Sequence, residues 1–175
     1  MTVKEEELTV PVHEHDEHAH KKLVIIAWSG DLDRVWPQMI LASTGAAMGM
    51  DTTIFFTFWG LFSLVKENKR ITGDNWMQKM MSAMDHPGLQ HLKLGKMNYV
   101  GAGPAMMKKL AKEHKVASPG ELMQMAVDMG AKLVPCQMTM DLLGLKREDM
   151  IDGIGEPAGA TTMLMEAQDA ITLFI

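Results

Sequence analysis

One cysteine, Cys136, stands in the segment Leu133-Val134-Pro135-Cys136-Gln137-Met138-Thr139-Met140-Asp141-Leu142-Leu143, which reads as a buried strand running straight into a helix. The thiolate is the nucleophilic form of cysteine. At a helix N-terminus the unpaired backbone N–H groups and the positive end of the helix dipole favour that charge, and a free-cysteine pKa of about 8.5 can fall to roughly 3.5 to 7.5. The bland alternative is a small, inert core residue, since cysteine is among the most often buried types. The strand-to-helix position favours the nucleophile. His86, His91 and His114 are the histidines that could partner it in the folded region, but two lie near the loop Asp85-His86-Pro87-Gly88 and one in a lysine-rich helix, which are surface contexts.

Several reactions are excluded by what surrounds the cysteine. No second cysteine forms a CxxC pair or resolves a sulfenic acid, which removes thioredoxin-like and two-cysteine peroxidase chemistry. Six residues after Cys136, where the phosphate cradle of a cysteine phosphatase needs arginine, stands Leu142. Gly101-Ala102-Gly103-Pro104-Ala105-Met106 lacks the third glycine of a dinucleotide loop. Lys96 follows Gly95 with no Ser or Thr behind it, so a P-loop is absent too.

Metal binding is a separate possibility. His13, His15, His18 and His20 alternate with Glu14, Asp16 and Glu17 in a polar leader over residues 1–20, a composition that chelates divalent cations. The leader has little apolar surface to offset its ordering entropy, so a solvated tail dispensable for folding is expected. A soft-metal site built from Cys136, Met138 or Met140 and these histidines is the alternative function. It is disfavoured because positions i and i+2 of a helix point apart.

The elements that must position Cys136 are legible from Leu23 onward. Leu23-Val24-Ile25-Ile26-Ala27-Trp28 is a strand-length apolar run, ended by Ser29-Gly30-Asp31, with Asp31 placed to cap a helix through about Met48. Thr52 to Phe58 forms a second β-rich run, and Trp59-Gly60 turns into a short helix. Residues 67–103 break the rhythm as a helical insertion, in which Trp76, Met77, Met80, Met81 and Met84 form an apolar stripe suited to a subunit contact, or to a lid over Cys136. A helix follows from Pro104 to Glu113, and Ser118-Pro119-Gly120-Glu121 is the strongest helix start in the chain. Ala131–Pro135, Ile151–Ile154 and Ala170–Ile175 read as strands, and Pro157–Gln168 as a helix.

Strands alternating with helices imply a three-layer αβα domain over residues 21–175, with a mostly parallel sheet of about five strands. Ligands of such sheets bind at the carboxyl ends of strands, where the strand order reverses. A flavodoxin-like order beginning 2-1-3 would set Cys136 beside Ser29, Gly30 and Asp31, with Trp59, Gly60, Gln137 and Met138 completing a pocket whose aromatics and methionines exclude water.

Composition sets the remaining bounds. The 175 residues suit one domain, and 47% hydrophobic content is that of a globular chain. A net charge of -5 with scattered basic residues argues against nucleic acid. The run Ile54–Val65 is shorter than the ~20 residues a membrane span requires, and no secretory leader is evident, so a reducing cytoplasm is the expected setting. Nineteen methionines are far above ordinary usage and serve mainly as adaptable core filling.

Cys136 in this setting, together with Trp28-Ser29-Gly30-Asp31, Phe55-Phe56-Thr57-Phe58-Trp59-Gly60 and Lys96-Met97-Asn98-Tyr99-Val100-Gly101, resembles the DsrE/DsrF-like family of sulfur-relay proteins, most closely its DsrE branch with a methionine-rich insertion. The resemblance runs from about Leu23 to Ile175. It implies a flavodoxin-like αβα fold, homo-oligomerisation, and a cysteine that carries sulfane sulfur or thiosulfate, exchanged with TusA-like carriers and rhodanese-type donors; no cofactor is expected. Cys136 matches the carrier cysteine, and the histidine-rich leader lies outside the family pattern. A single thiol with no resolving partner also suits a group carrier on chemical grounds. A structural subunit with a silent cysteine is the third reading.

Overall fold

The computed structural model describes residues 21–67, 76, 88–89, 92–96 and 98–175. Four parallel strands form the sheet: β1 (Lys22–Ala27), β2 (Asp51–Phe56), β3 (Lys132–Pro135) and β4 (Ala170–Phe174), in the order β3-β2-β1-β4. Helix α1 (Leu32–Ala47) connects β1 to β2. A 3₁₀ segment (Phe58–Leu64), α2 (Ala102–Glu113) and α3 (Pro119–Asp128) stand between β2 and β3. Helix α4 (Gln137–Leu143) leaves β3, and α5 (Ala160–Glu166) leads into β4.

The direction of each crossover explains the layers. Going from β1 to β2 to β3, the chain steps twice toward the same edge, so right-handed crossovers lay α1 and α3 on one face. The return from β3 to β4 passes back over the sheet, and α5 lands on the opposite face. Side chains alternate accordingly. Leu23, Ile25, Ile54, Phe56 and Leu133 face α1 and α3 in the main core, whereas Val24 and Phe55 join a small second cluster with Cys136 and Met163. Each fully buried Ile, Leu or Phe in the main core contributes about 1.5–3 kcal/mol relative to exposure.

Local signals hold at several element ends. Ser118 caps α3 in a reciprocal box: its Oγ accepts from the Glu121 N–H at 3.3 Å, and Glu121 Oε2 accepts from the Ser118 N–H at 2.7 Å. Those hydrogen bonds from Ser118, backbone first, hold the Glu121 carboxyl below its ordinary value. Lys115 closes α2 in the left-handed region at φ 56, with Val116 N–H donating to Ala111 O at 2.8 Å and Lys115 N–H to Lys112 O at 3.2 Å.

Three expectations are corrected. The sheet has four strands, not five, because Ile151–Ile154 pairs away from it: Met150 bridges antiparallel to Val65, and Gly153 at φ 82 turns the chain. The strand order does not begin 2-1-3, since both early crossovers run toward the same edge. Asp31 occupies the N-cap position of α1, but its side chain makes no capping hydrogen bond, and its backbone N–H donates to Ser29 Oγ at 3.2 Å. Of the expected apolar stripe, Trp76 is helical and 70% exposed, while Met77, Met80, Met81 and Met84 lie outside the described residues, as do the leader, His86 and His91. His114 is exposed at the end of α2.

Candidate functional site

The carboxyl ends of the strands carry the candidate residues, but in two groups. The first is the turn after β1. A side chain on Gly30 would meet the Trp59 carbonyl oxygen at 2.7 Å, and one on Gly60 would overlap the Ala27 carbonyl oxygen, so both glycines are required by close backbone approach. Gly60 N–H donates to Trp28 O at 3.0 Å, and Thr57 N–H to Ala27 O at 2.9 Å. Ser29, Gly30, Trp59 and Gly60 therefore form one tight double turn. Trp59 stacks on Phe62 with centroids 6.0 Å apart, and Asp31 faces Gly95.

The second group surrounds Cys136. Cys136 is the N-cap residue of α4 and its N–H donates to Phe56 O at 2.9 Å, which fastens it to the end of β2. Thr139, one turn into α4 and fully buried, lies 3.1 Å from the Thr57 hydroxyl and accepts from the Phe58 N–H at 3.2 Å. Phe58 sits at φ 45, a conformation uncommon outside glycine, and this bond helps hold it there. On the other side Ala158 pairs in parallel with Cys136: Gln137 N–H donates to Ala158 O and Ala158 N–H to Pro135 O, both at 3.0 Å. Cys136 is 3% exposed as a residue, in the cluster with Val24, Phe55 and Met163.

Cys136 consequently stands beside Thr57, Phe58 and Ala158, not beside Ser29–Asp31, because β2 separates β3 from β1. The strand order reverses between β1 and β4, where Trp28 stacks on Phe174 with centroids 6.1 Å apart and the Arg34 guanidinium sits 4.9 Å from the Trp28 ring. Gln137 and Met138 are exposed on α4, with Gln137 Nε2 donating to Asp141 at 2.7 Å. Sequence reasoning missed Thr57, Thr139, Ala158 and Met163. Thr139 alone carried a signal, a hydroxyl residue three positions after the cysteine in the first helical turn. A groove of about 910 Å³ between α2 and α3, lined by Trp36, Lys112, Val116, Glu121 and Met125 among others, includes neither Cys136 nor the expected pocket residues.

Among the described residues, no group of three or more His, Cys, Asp or Glu is placed to hold a metal ion, and no helix is long and apolar enough to cross a membrane.

The chain is similar to the Bacillus subtilis (strain 168) protein YrkE, 39% identical over 156 residues, covering 89% of this chain and 97% of the relative. It is also similar to the sulfur carrier protein DsrE2 of Allochromatium vinosum, 35% identical over 168 residues, covering 89% of this chain and 98% of that protein. In fold it is similar to the crystal structure of the ychN protein from E. coli, with a TM-score of 0.54 at 12% identity, covering 89% of this chain and 99% of that one. The profile of the DsrE/DsrF/DrsH-like family matches residues 19–174, and with an αβα parallel sheet ending in a cysteine at the β3–α4 junction, the chain belongs to that family.

Proposed function

We propose that the protein is a sulfur carrier in a relay between proteins, holding sulfur on Cys136 and passing it to an acceptor thiol. The observation that carries this reading is the position of its one cysteine at the carboxyl end of a parallel strand, in a chain 35% identical to a sulfur carrier protein. In loading, the Cys136 thiolate attacks the outer sulfur of a donor persulfide. The Cys136 S–S bond forms, the donor S–S bond breaks, and the donor departs as a thiolate. In unloading, an acceptor thiolate attacks the outer sulfur of the Cys136 persulfide and releases the Cys136 thiolate, so neither step needs an external oxidant. With tetrathionate the same attack leaves an S-thiosulfonate on Cys136 and expels thiosulfate.

Rhodanese-type donors and TusA-like carriers are the partners of this reading, in a reducing cytoplasm where the thiol persists. The packing of Ser29, Gly30, Trp59 and Gly60 into one double turn at the end of β1, with β2 between it and Cys136, supports a scaffold role for these residues and for Asp31 rather than a wall of the cysteine pocket. A homo-oligomer with contacts at the Trp76, Met77, Met80, Met81 and Met84 stripe is part of the proposal, since the sequence spaces these apolar residues on one helical face, a patch that symmetric association would bury. Charged substitutions at Met77 and Met81, followed by light scattering, test it: dissociation supports the interface, and an unchanged oligomer removes it.

One observation favours a competing reading. A cysteine residue only 3% exposed also suits a silent subunit. Intact-mass measurement after incubation with tetrathionate, polysulfide, or thiosulfate with a rhodanese decides between them. A mass gain confined to wild type and absent from Cys136→Ser supports the carrier. Unmodified wild-type protein that also resists alkylation supports the silent subunit.

A further inference from the structure

The carrier reading requires Cys136 Sγ to meet a partner's sulfur, yet that atom belongs to a residue 3% exposed, so some element around it moves. Most of its surroundings are anchored. The cysteine backbone is bonded to Phe56, and α4 buries Thr139, Met140 and Leu143, the last two in the main core. Helix α5 differs. It is two turns long, and it buries one side chain, Met163, at 4% exposure, while Leu164 and Met165 are exposed. Among the described residues, α5 is the only helix that contributes a buried side chain to the cluster containing Cys136. The cover is thin, since Ile26 and Val134 on this face remain partly exposed.

The chain entering α5 is divided into a fixed strap and a free hinge. Residues 155–158 are held against β3: Gly155 N–H donates to Leu133 O at 2.7 Å, and Ala158 exchanges two bonds across the Cys136 position. Arg147 clamps the strap from outside, donating to Gly155 O at 2.7 Å and Ile154 O at 2.9 Å and lying 3.7 Å from Glu156. The next residue, Gly159, is the N-cap of α5, offers no side-chain cap, and has nothing within 4 Å of where a Cβ would stand. At the far end Asp169 turns at φ 57 just before β4. A short helix with one buried anchor between two turns has the features of a segment that opens below the global unfolding free energy.

We propose that α5 is the gate of the cysteine site and that Met163 is its plug. The helix swings about Gly159 and the Asp169 turn, Met163 leaves the cluster with Val24 and Phe55, and Cys136 becomes accessible while the strap and β3 stay in place. Closed, the gate keeps water and small thiols from a sulfur held on Cys136. This proposal rests on the reading of Cys136 as the reactive thiol.

The test is the rate at which a neutral alkylating reagent modifies Cys136 in the full chain, without and with low concentrations of urea. Opening of α5 alone predicts a native rate almost independent of urea. Met163→Ala raises it about tenfold or more, and Gly159→Ala, which fits without overlap and stiffens the hinge, lowers it severalfold. Met39→Ala, a truncation in the distant core of α1, lowers global stability but leaves the native rate unchanged. Rates that rise with urea along the global unfolding slope, or that order the variants by their global stability alone, overturn the gate. Alkylation transfers no sulfur, so failure of the gate and failure of the carrier reading are told apart: the first appears in these rates, the second in the mass gain.

Discussion

The backbone N–H of Cys136 donates to the carbonyl oxygen of Phe56 at 2.9 Å, which places the cysteine one residue beyond the last paired position of β3, at the end of β2. Its chemical neighbours are thereby the residues that follow β2, Thr57 and Phe58, rather than those that follow β1. The same bond fixes the cysteine backbone without any part of α5, so with the gate proposed above exposure of the thiol and displacement of the strand are separable events.

Cys136→Ser is expected to lose all mass gain from sulfane donors. A serine hydroxyl in this apolar cluster costs about 1–3 kcal/mol when left without a partner, so Cys136→Ala is the companion variant. Both lose loading, and the alanine variant keeps a thermal midpoint closer to wild type. Mass spectrometry and a thermal melt measure the two effects.

Thr139→Val removes the acceptor for the Phe58 N–H and the partner of the Thr57 hydroxyl while preserving shape. Destabilisation of about 1–3 kcal/mol is expected from the buried groups left unpaired, with Thr139→Ser restoring most of it. Urea titration of the three proteins checks this; equal stability of the valine and threonine proteins contradicts it.

Lys115→Gly is expected to stabilise the protein by about 1 kcal/mol, because Lys115 holds φ 56 at an exposed helix terminus where glycine has no Cβ penalty. The readout is the urea midpoint at unchanged slope.

Ser118→Ala dismantles the capping box of α3 and is expected to lower the thermal midpoint by about 3 °C at neutral pH. The Glu121 carboxyl is held below its ordinary value in the folded state, so its contribution is present above the unfolded-state pKa. That contribution is lost as pH falls through the folded-state pKa. The gap between wild type and Ser118→Ala therefore narrows in acid, and melts across that range measure it.

Much of the fold was local enough to read directly. The apolar run after Lys22 is β1, the Ser118-Pro119-Gly120-Glu121 start is α3 with its box formed, and the strand-to-helix junction falls at Cys136. Periodicity, caps and strand-length apolar runs act over a few residues, so the order of elements along the chain follows from them. Three things were decided only in three dimensions. The order β3-β2-β1-β4 depends on which edge each crossover approaches, and that separates Cys136 from Ser29, Gly30 and Asp31. The contacts of Gly30 with Trp59 and of Gly60 with Ala27 arise where two turns meet. The buried cluster that holds Cys136 includes Met163, which lies 27 positions along the chain, on a helix whose face is set by the return crossover. Residue type and spacing identify a thiol at the end of a strand, but burial depends on what the rest of the chain lays over it.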